Sequence, residues 1–256
     1  MQITFLGTGT SQGVPVISCN CAVCTSTDKR DNRTRTSLHI QSNSASVVID
    51  TGPDFRHQML REKVTNLNAV VFTHGHKDHI AGLDDIRPFN YLQHKTIHVY
   101  AEKIVEEVLH REFAYAFQEH DYPGVPQIDL QLIDENPFSI YDLDFIPIRV
   151  IHKQLPVLGF RIKDFTYITD ANYISDPELN KVKGTKILVL NALRREMHYS
   201  HFNLEQALAI VEKVHPEQAY FTHISHHMGL HADVEKELPE NIHLAFDGLK
   251  INLPGL

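Results

Sequence analysis

The sequence predicts a single α/β domain that spans residues 1–256. Short apolar runs with the length and composition of β-strands recur along the whole chain, and helical patterns fall between them. Many of these runs end in histidine or aspartate, as expected where functional side chains follow the carboxyl ends of strands. With 42% hydrophobic and 22% charged residues, the composition is that of an ordinary globular protein with one large core.

The first quarter of the chain predicts three strands and one helix. Residues 2–6 alternate around apolar positions and precede a glycine-bearing turn. Residues 36–41 and 46–50 read as two strands that are separated by the turn-forming sequence "SNSA". Residues 54–63 have helical spacing, with Asp54 in the position of an N-cap.

The rest of the chain alternates strands with helices. Residues 68–73, "NAVVFT", form an apolar run typical of a strand buried on both faces. Amphipathic spacing predicts helices at 101–113 and at 203–214, the second with Asn203 as N-cap. Residues 114–137 are less regular, and we expect a lobe there that covers the functional site. Further strands are predicted at 143–152, 157–162, 165–169, 186–190, 218–224 and 244–247.

Charge and hydropathy argue against several classes of function. A formal net charge of -8 argues against a broad surface for nucleic-acid backbones, which requires excess Lys and Arg. The apolar runs are far shorter than the roughly 20 residues that cross a bilayer, and the first residues lack the features of a signal peptide. We therefore expect a cytoplasmic protein without membrane association. The 18 histidines are an anomaly, because imidazole is the commonest metal ligand.

Three cysteines lie close together in "CNCAVC", at Cys19, Cys21 and Cys24. An odd number in one loop cannot form a disulfide framework, and in a reducing compartment such spacing more often holds a metal. The alternative is three free thiols.

The segment "HGHKDH" places four good metal ligands within six positions. His74 and His76 are two residues apart, so in an extended chain they point to the same side and can bind one ion. Asp78 and His79 follow where the chain turns into a helix, and there they diverge from the first pair and can hold a second ion. The spacing therefore suggests two neighbouring metals, and the alternative is a histidine-rich surface loop.

"HGHKDH" resembles the HxHxDH signature of the metallo-β-lactamase-fold hydrolases. The resemblance implies an αββα sandwich, in which two mixed sheets lie face to face with helices outside. The remaining family motifs match "VVIDTGPDFR", "VIHKQLPVLGF", "TYITDAN" and "YFTHISHH". Asp50, in the first of these, is implied to orient a ligand or the metal-bound water by hydrogen bonds. The implied metal ligands are His74, His76 and His152 for one ion, Asp78, His79 and His223 for the other, and Asp170 as the bridge.

Within this superfamily, "GTGTSQGVPVISCNCAVC" and "THISHH" resemble the PhnP-type phosphodiesterases, in which three cysteines and a histidine hold a structural zinc. His227 competes with His226 for the fourth position. "HYSHFNLEQA" resembles the PhnP segment with an extra active-site histidine, and His201 matches that histidine. As an imidazolium, His201 would donate a proton to the leaving oxygen or bind a phosphate oxygen, unless it merely precedes the helix. The implied zinc ligands are Cys19, Cys21, Cys24 and His226.

The resemblance implies a metal-dependent phosphodiesterase for small or cyclic phosphate esters. Two divalent ions, Zn or Mn, would serve catalysis, and one Zn would be structural. Asp50, Asp78 and His201 are the implied catalytic side chains. The alternatives are a tRNA 3′-end processing endonuclease and a non-catalytic, PqqB-like metal-binding carrier. PhnP-like relatives also suggest a homodimer, whereas a nucleic-acid partner is not expected.

Overall fold

Residues 1–118 and 124–253 are described by the structure, a computed structural model, and they build two facing β-sheets. The strands of the first sheet are β1 (Gln2–Gly7), β2 (Ser37–Gln41), β3 (Ser46–Ile49), β4 (Ala69–Val71), β5 (Ile97–Ala101), β6 (Ile128–Leu132) and β15 (Lys250–Asn252). Their order is β15-β1-β2-β3-β4-β5-β6. Pairing is antiparallel from β15 to β3 and parallel from β3 to β6, so the sheet is mixed.

The second sheet is formed by the later part of the chain and is also mixed. Its strands are β7 (Phe138–Ile140), β8 (Leu143–His152), β9 (Leu155–Ile162), β10 (Phe165–Ile168), β11 (Tyr173–Ile174), β12 (Ile187–Asn191), β13 (Gln218–Thr222) and β14 (Ile242–Leu244). The order is β11-β8-β9-β10-β12-β13-β14, and β7 pairs with β8 beside this path. Strands β10, β12, β13 and β14 pair in parallel, whereas β8, β9 and β10 pair antiparallel.

Helices connect the strands of both sheets. They are α1 (Phe55–Glu62), α2 (Lys77–Ile80), α3 (Arg87–Gln93), α4 (Lys103–Glu112), α5 (Ala114–Phe117), α6 (Asp176–Val182), α7 (Leu204–Val214) and α8 (His231–Glu237). None of the helices within the described ranges combines the length and apolar character needed to cross a bilayer.

Three apolar clusters show the order of the layers. Phe5 of the first sheet and Phe160 of the second lie in the cluster between the sheets. Phe55 of α1 packs on the outer face of the first sheet, and Val211 of α7 packs on the outer face of the second. Burial of each such side chain contributes about 1.5–3 kcal/mol. The layers therefore run helix, sheet, sheet, helix, and the predicted αββα sandwich is confirmed.

Most predicted strands and helices are confirmed to within about two residues, and two details are wrong. The last predicted strand, 244–247, lies too late, because β14 ends at Leu244. Beyond it, the carboxylate of Asp247 accepts backbone N–H groups of Thr8 and Thr34, at 2.9 and 2.8 Å, which ties the chain to the first sheet. Asp54 does precede α1, but its carboxylate pairs with Arg35 at 3.0 Å and makes no capping bond.

The segment 114–137 is more regular than predicted, and its expected role as a lobe that covers the site stays a prediction. Ala114–Phe117 is the helical turn α5, and Ile128–Leu132 is the edge strand β6, which pairs in parallel with β5. Pro126 precedes this strand and leaves its ladder intact, as expected for a proline near an edge. The part of the prediction that concerns residues 119–123 lies outside the described residues.

Candidate metal centre

The predicted ligands converge where strands of both sheets end. Asp50 directly follows β3, His152 ends β8, Asp170 comes shortly after β10, and His223 directly follows β13. The backbone is left-handed at Asp50, Asp170 and His223, with φ of 63°, 51° and 57°. Such conformations cost of order 1–3 kcal/mol outside glycine and tend to cluster at functional sites. The fold therefore holds these side chains in place against a local backbone preference.

The segment "HGHKDH" contributes four side chains to this region. His74 and His76 precede α2, and Asp78 and His79 lie within it, so the two pairs diverge as the spacing predicts. Nε2 of His74 lies 3.0 Å from Nδ1 of His76. The ring centroids of His76 and His152 are 5.2 Å apart. These three histidines form the first group of predicted ligands.

Asp78, His79 and His223 form a second group. Oδ2 of Asp78 lies 3.3 Å from Nε2 of His79 and 3.7 Å from Nε2 of His223. The rings of His79 and His223 are parallel to within 10°, with centroids 5.9 Å apart. One ligand atom from each of the three side chains falls within 4.8 Å of the other two. This geometry suits one divalent ion with mixed nitrogen and oxygen ligands.

Asp170 lies between the groups. Its Oδ2 is 3.1 Å from Nε2 of His79, and its Oδ1 is 3.2 Å from Nε2 of His223. His74, His79 and Asp170 also offer ligand atoms within 4.8 Å of one another, so the first group shares this carboxylate with the second. The hydroxyl of Thr169 donates to Oδ2 at 2.8 Å and helps to orient it.

The side chains present fit bound metal ions. Nε2 of His79, Nδ1 of His201 and both ring nitrogens of His223 are buried without a hydrogen-bond partner. Leaving buried polar atoms unpaired costs about 1–3 kcal/mol each, and natural structures seldom tolerate several together. A divalent ion at the second group would satisfy Nε2 of both His79 and His223.

The electrostatics favour cations at the same place. Burial lowers the pKa of His79, but the carboxylates of Asp170 and Asp78 outweigh it and hold that pKa well above the ordinary value. Burial lowers the pKa of His74 well below its usual range and that of His76 more moderately. The carboxylates therefore attract positive charge, while the neutral imidazoles of His74 and His76 have lone pairs for a metal.

Asp50 belongs to neither group of predicted ligands, and it orients one of them by a hydrogen bond. Its fully buried carboxylate accepts the backbone N–H of Thr73 at 2.9 Å, the Thr73 hydroxyl at 2.8 Å and Nδ1–H of His79 at 2.7 Å. Burial raises the pKa of Asp50, and these bonds oppose that shift. The bond from Nδ1 leaves Nε2 of His79 as the free metal-binding atom. The sequence had indicated Asp50, whereas Thr73 was missed although it directly precedes "HGHKDH".

His201 lies against both groups. Its ring centroid is 4.5 Å from that of His152 and 4.7 Å from that of His223, and its Nδ1 is 3.6 Å from Asp170. Burial is the largest cause that lowers the pKa of His201 to about 2, and the neighbouring His223 is the second largest. Burial therefore disfavours the charged form of His201, and its role as a proton donor stays a prediction.

A separate cluster joins the cysteine loop to the C-terminal half of the chain. Sγ of Cys19 and Cys21 each lie 3.3 Å from Nδ1 of His226, and Sγ of Cys24 lies 3.5 Å away. His227 is exposed and stands outside this cluster, with its ring 4.0 Å from that of His226. Two hydrogen bonds lower the pKa of Cys21 to about 6, and the one from the backbone of Cys24 has a larger effect than the one from His226. Three sulfurs around one imidazole nitrogen suit a closed zinc site.

Comparisons with known proteins agree with this geometry. A family profile described as "Beta-lactamase superfamily domain" matches residues 45–224. The crystal structure of a diphosphatase from the PhnP family is 39% identical, with a TM-score of 0.92 over 99% of this chain and 98% of that chain. Zinc-bound PqqB from Methylobacterium extorquens has a TM-score of 0.80 over 99% of this chain and 100% of that chain, but at 18% identity it shows the fold alone.

A curated relative is an octanoyltransferase from Porphyromonas gingivalis, which is 39% identical over 98% of this chain and 51% of the relative. This chain thus spans about half the length of that relative. The family match covers most of the chain, and the PhnP-family structure matches along nearly the entire length of both chains. The chain therefore belongs to the metallo-β-lactamase superfamily and, within it, to the PhnP family.

Proposed function

We propose that this protein is a metal-dependent hydrolase that cleaves a phosphodiester or diphosphate bond in a small substrate, cyclic esters included. The observation that carries the proposal is the position of Asp170, whose carboxylate lies 3.2 Å from Nε2 of His223 in the second group and within 4.8 Å of a ring nitrogen of His74 in the first. A carboxylate placed so among unpaired buried nitrogens fits a bridge between two divalent ions, Zn or Mn. The resemblance to a PhnP-family diphosphatase supports phosphate chemistry at this site.

The ligands follow from the two groups of side chains. Divalent ions bound there would lower the pKa of a coordinated water and offset negative charge on the phosphoryl group. Asp50 keeps His79 in the orientation that presents Nε2 to the site. Nδ1–H of His152 donates to the carbonyl of Ser200 at 2.7 Å, which likewise leaves Nε2 of His152 free. The residues that would hold the two ions are His74, His76 and His152, then Asp78, His79 and His223, with Asp170 in common.

His201 has a separate role in this proposal. Its neutral imidazole lies beside Asp170 and between His152 and His223, so it can donate an N–H to a phosphate oxygen of the substrate. In this proposal that oxygen is the leaving oxygen, which therefore lies on the same side of the site as His201. Because the segment that precedes His201 is bonded to His152, the two histidines keep a fixed relative position.

The proposal is tested by turnover of bis(p-nitrophenyl) phosphate in protein loaded with Mn²⁺ or Zn²⁺. Asp170→Asn should lower the rate at least about 100-fold, because an amide cannot bridge two cations as a carboxylate does. Asp164→Asn is the matched control, since Asp164 is half-exposed and its carboxylate forms an ion pair with Lys186 near the surface. Equal rates in both variants, or no turnover by the loaded wild type, would contradict the proposal.

Two other functions agree less well with the chain. A tRNA 3′-end endonuclease of the related type recruits its substrate with a basic flexible arm, and the sequence contains no Lys/Arg-rich insert with Gly and Pro. A PqqB-like carrier would not need the full set of ligand side chains that meets around Asp170. A homodimer, which the family resemblance suggests, remains a prediction that light scattering in solution can test.

Acyl transfer, the activity in the name of the Porphyromonas gingivalis relative, is not proposed for this chain. The match covers 51% of that protein, so the name can describe its other half. All three cysteines, the obvious thiol nucleophiles, surround His226 in the separate cluster. The buried histidines and aspartates at the strand ends suit hydrolysis by a metal-activated water instead.

A further inference from the structure

A row of aromatic side chains leads from the candidate metal centre to the surface on the side of His201. The ring of His198 lies 5.3 Å from that of His201 and 4.4 Å from that of Tyr199, measured between centroids. Nζ of Lys153 lies 5.2 Å from the centroid of Tyr199. Tyr199 is 70% exposed, so this row ends at the surface.

Hydrogen bonds of the backbone hold the segments that carry Tyr199 and Lys153 in place. The carbonyl of Ser200, next to Tyr199, accepts the hydrogen bond from Nδ1 of His152 at 2.7 Å. Lys153 follows His152 directly, and its backbone N–H donates to Oδ1 of Asn172 at 2.6 Å. The residues at the surface therefore sit next in sequence to residues of the site, and the row cannot shift independently of it.

The ammonium group of Lys153 lies near no carboxylate that would pair with it among the described residues. Lys77 also follows a predicted ligand, His76, and it pairs with Glu112. Lys153 makes no ion pair with any residue in the ranges that the structure describes, and it rests on an aromatic face instead. A cation held over a tyrosine ring is partly ordered in advance, which reduces the entropy lost when it binds an anion.

We propose that Lys153, Tyr199 and His198 form a subsite for a negatively charged group on the leaving arm of the substrate. This inference rests on the proposed function and deepens it, because His201 places the leaving oxygen on the same side. The preferred substrates are then phosphodiesters whose leaving arm bears a phosphate or carboxylate, and organic diphosphates, whose leaving group is itself a phosphate.

For a diphosphate the reaction balances with water alone. The water oxygen bonds to one phosphorus, and the bond between that phosphorus and the bridging oxygen breaks. The bridging oxygen departs with the second phosphate. One proton of the water stays on each product, so a diphosphate with organic groups at both ends gives two hydrogen phosphate monoesters, and one with a single organic group gives a monoester and inorganic phosphate.

The test compares two chromogenic diesters, bis(p-nitrophenyl) phosphate and bis(3-carboxy-4-nitrophenyl) phosphate, which differ by a carboxylate on each arm. Lys153→Ala should lower kcat/KM for the carboxylated diester about 10-fold, mainly through KM, and change the uncharged diester less than about 2-fold. Lys153→Glu should lower it further by repulsion. Lys163→Ala is the matched control. Like Lys153, Lys163 is exposed and has a left-handed backbone conformation in a hairpin turn, here the turn between β9 and β10.

The tyrosine variants separate the ring from its hydroxyl. Tyr199→Leu should lower kcat/KM for the carboxylated diester about 2- to 5-fold, the usual worth of an exposed cation–π contact. Tyr199→Phe keeps the ring and should behave like the wild type. If the wild type turns over both diesters and the Lys153 variants keep their ratio of kcat/KM, the subsite is overturned while the proposed function stands. If the loaded wild type turns over neither diester, both the proposed function and the subsite are overturned.

Discussion

The cysteine cluster makes a strong prediction about stability. Cys19, Cys21 and Cys24 lie within six residues of one loop, whereas His226 is 207 residues from Cys19 in sequence. Three neighbouring cysteines can bind zinc in the unfolded chain as well as in the folded one. His226 reaches the three cysteines only in the folded chain. The bond from zinc to this histidine therefore makes zinc bind the folded state preferentially. A ligand stabilises a protein only through such a difference in affinity.

The expected magnitude follows from binding linkage. If His226 makes saturating zinc bind the folded state about 1,000 times more tightly than the unfolded chain, this preference adds about 4 kcal/mol to the free energy of unfolding. His226→Ala should remove most of this, which corresponds to a fall in Tm of about 8–16 °C for a chain of this size. Denaturation by urea in zinc buffer measures the change in free energy of unfolding, and zinc content measures the site directly.

His227→Ala is the matched control, since His227 is adjacent, exposed and outside the cluster. It should unfold like the wild type in zinc buffer. A chelator should destabilise the wild type and His227→Ala more than His226→Ala, because it removes the ions of the Asp170 centre from all three proteins and the cysteine-site zinc only from the first two. The same urea midpoint for both histidine variants would refute the reasoning.

Three further predictions concern the metal centre and the core. Asp50→Asn should weaken metal binding about 10- to 100-fold, because the amide NH2 would face either the backbone N–H of Thr73 or Nδ1–H of His79, each of which needs an acceptor. Unchanged affinity in competition with a chromophoric chelator would contradict this. His201→Ala should lower kcat for bis(p-nitrophenyl) phosphate about 10²- to 10⁴-fold with unchanged metal content, whereas loss of an ion would identify His201 as a ligand. The free energy of unfolding should fall by about 3 kcal/mol as the pH drops from 6.5 to below 4, because burial lowers the pKa of His39 from 6.5 to about 4 and the unfolded chain takes up this proton first. His39→Asn should remove that part of the pH dependence, and curves of equal slope for variant and wild type would count against it.

Much of the site was predictable because its residues follow recognisable strands. "NAVVFT" leads into "HGHKDH", and the runs before His152, Asp170 and His223 each have β-strand composition. In a layered α/β protein, the carboxyl ends of strands that run the same way meet at one edge. Local spacing within "HGHKDH" then separates its four predicted ligands into two pairs, which the start of α2 also separates in the structure.

Other features have no sequence signal. The Ser200 carbonyl that orients His152 is a backbone group 48 residues away in sequence, so no pattern of side chains predicts this contact. The choice between His226 and His227 depends on the direction of each ring, which adjacent positions in a sequence do not reveal. The protonation of His201 depends on burial by residues from other strands. Short elements such as α3, α6 and α8 have only seven residues each, too few for a clear helical period.

Anomalous diffraction at the zinc and manganese absorption edges, from crystals grown with both metals, tests the central claim most directly. We predict two peaks, one on each side of the Asp170 carboxylate, and a third peak of zinc among the three cysteines and His226. A single peak beside Asp170, or none there while the zinc of the cysteine cluster is present, would contradict the shared carboxylate on which the proposed hydrolysis depends.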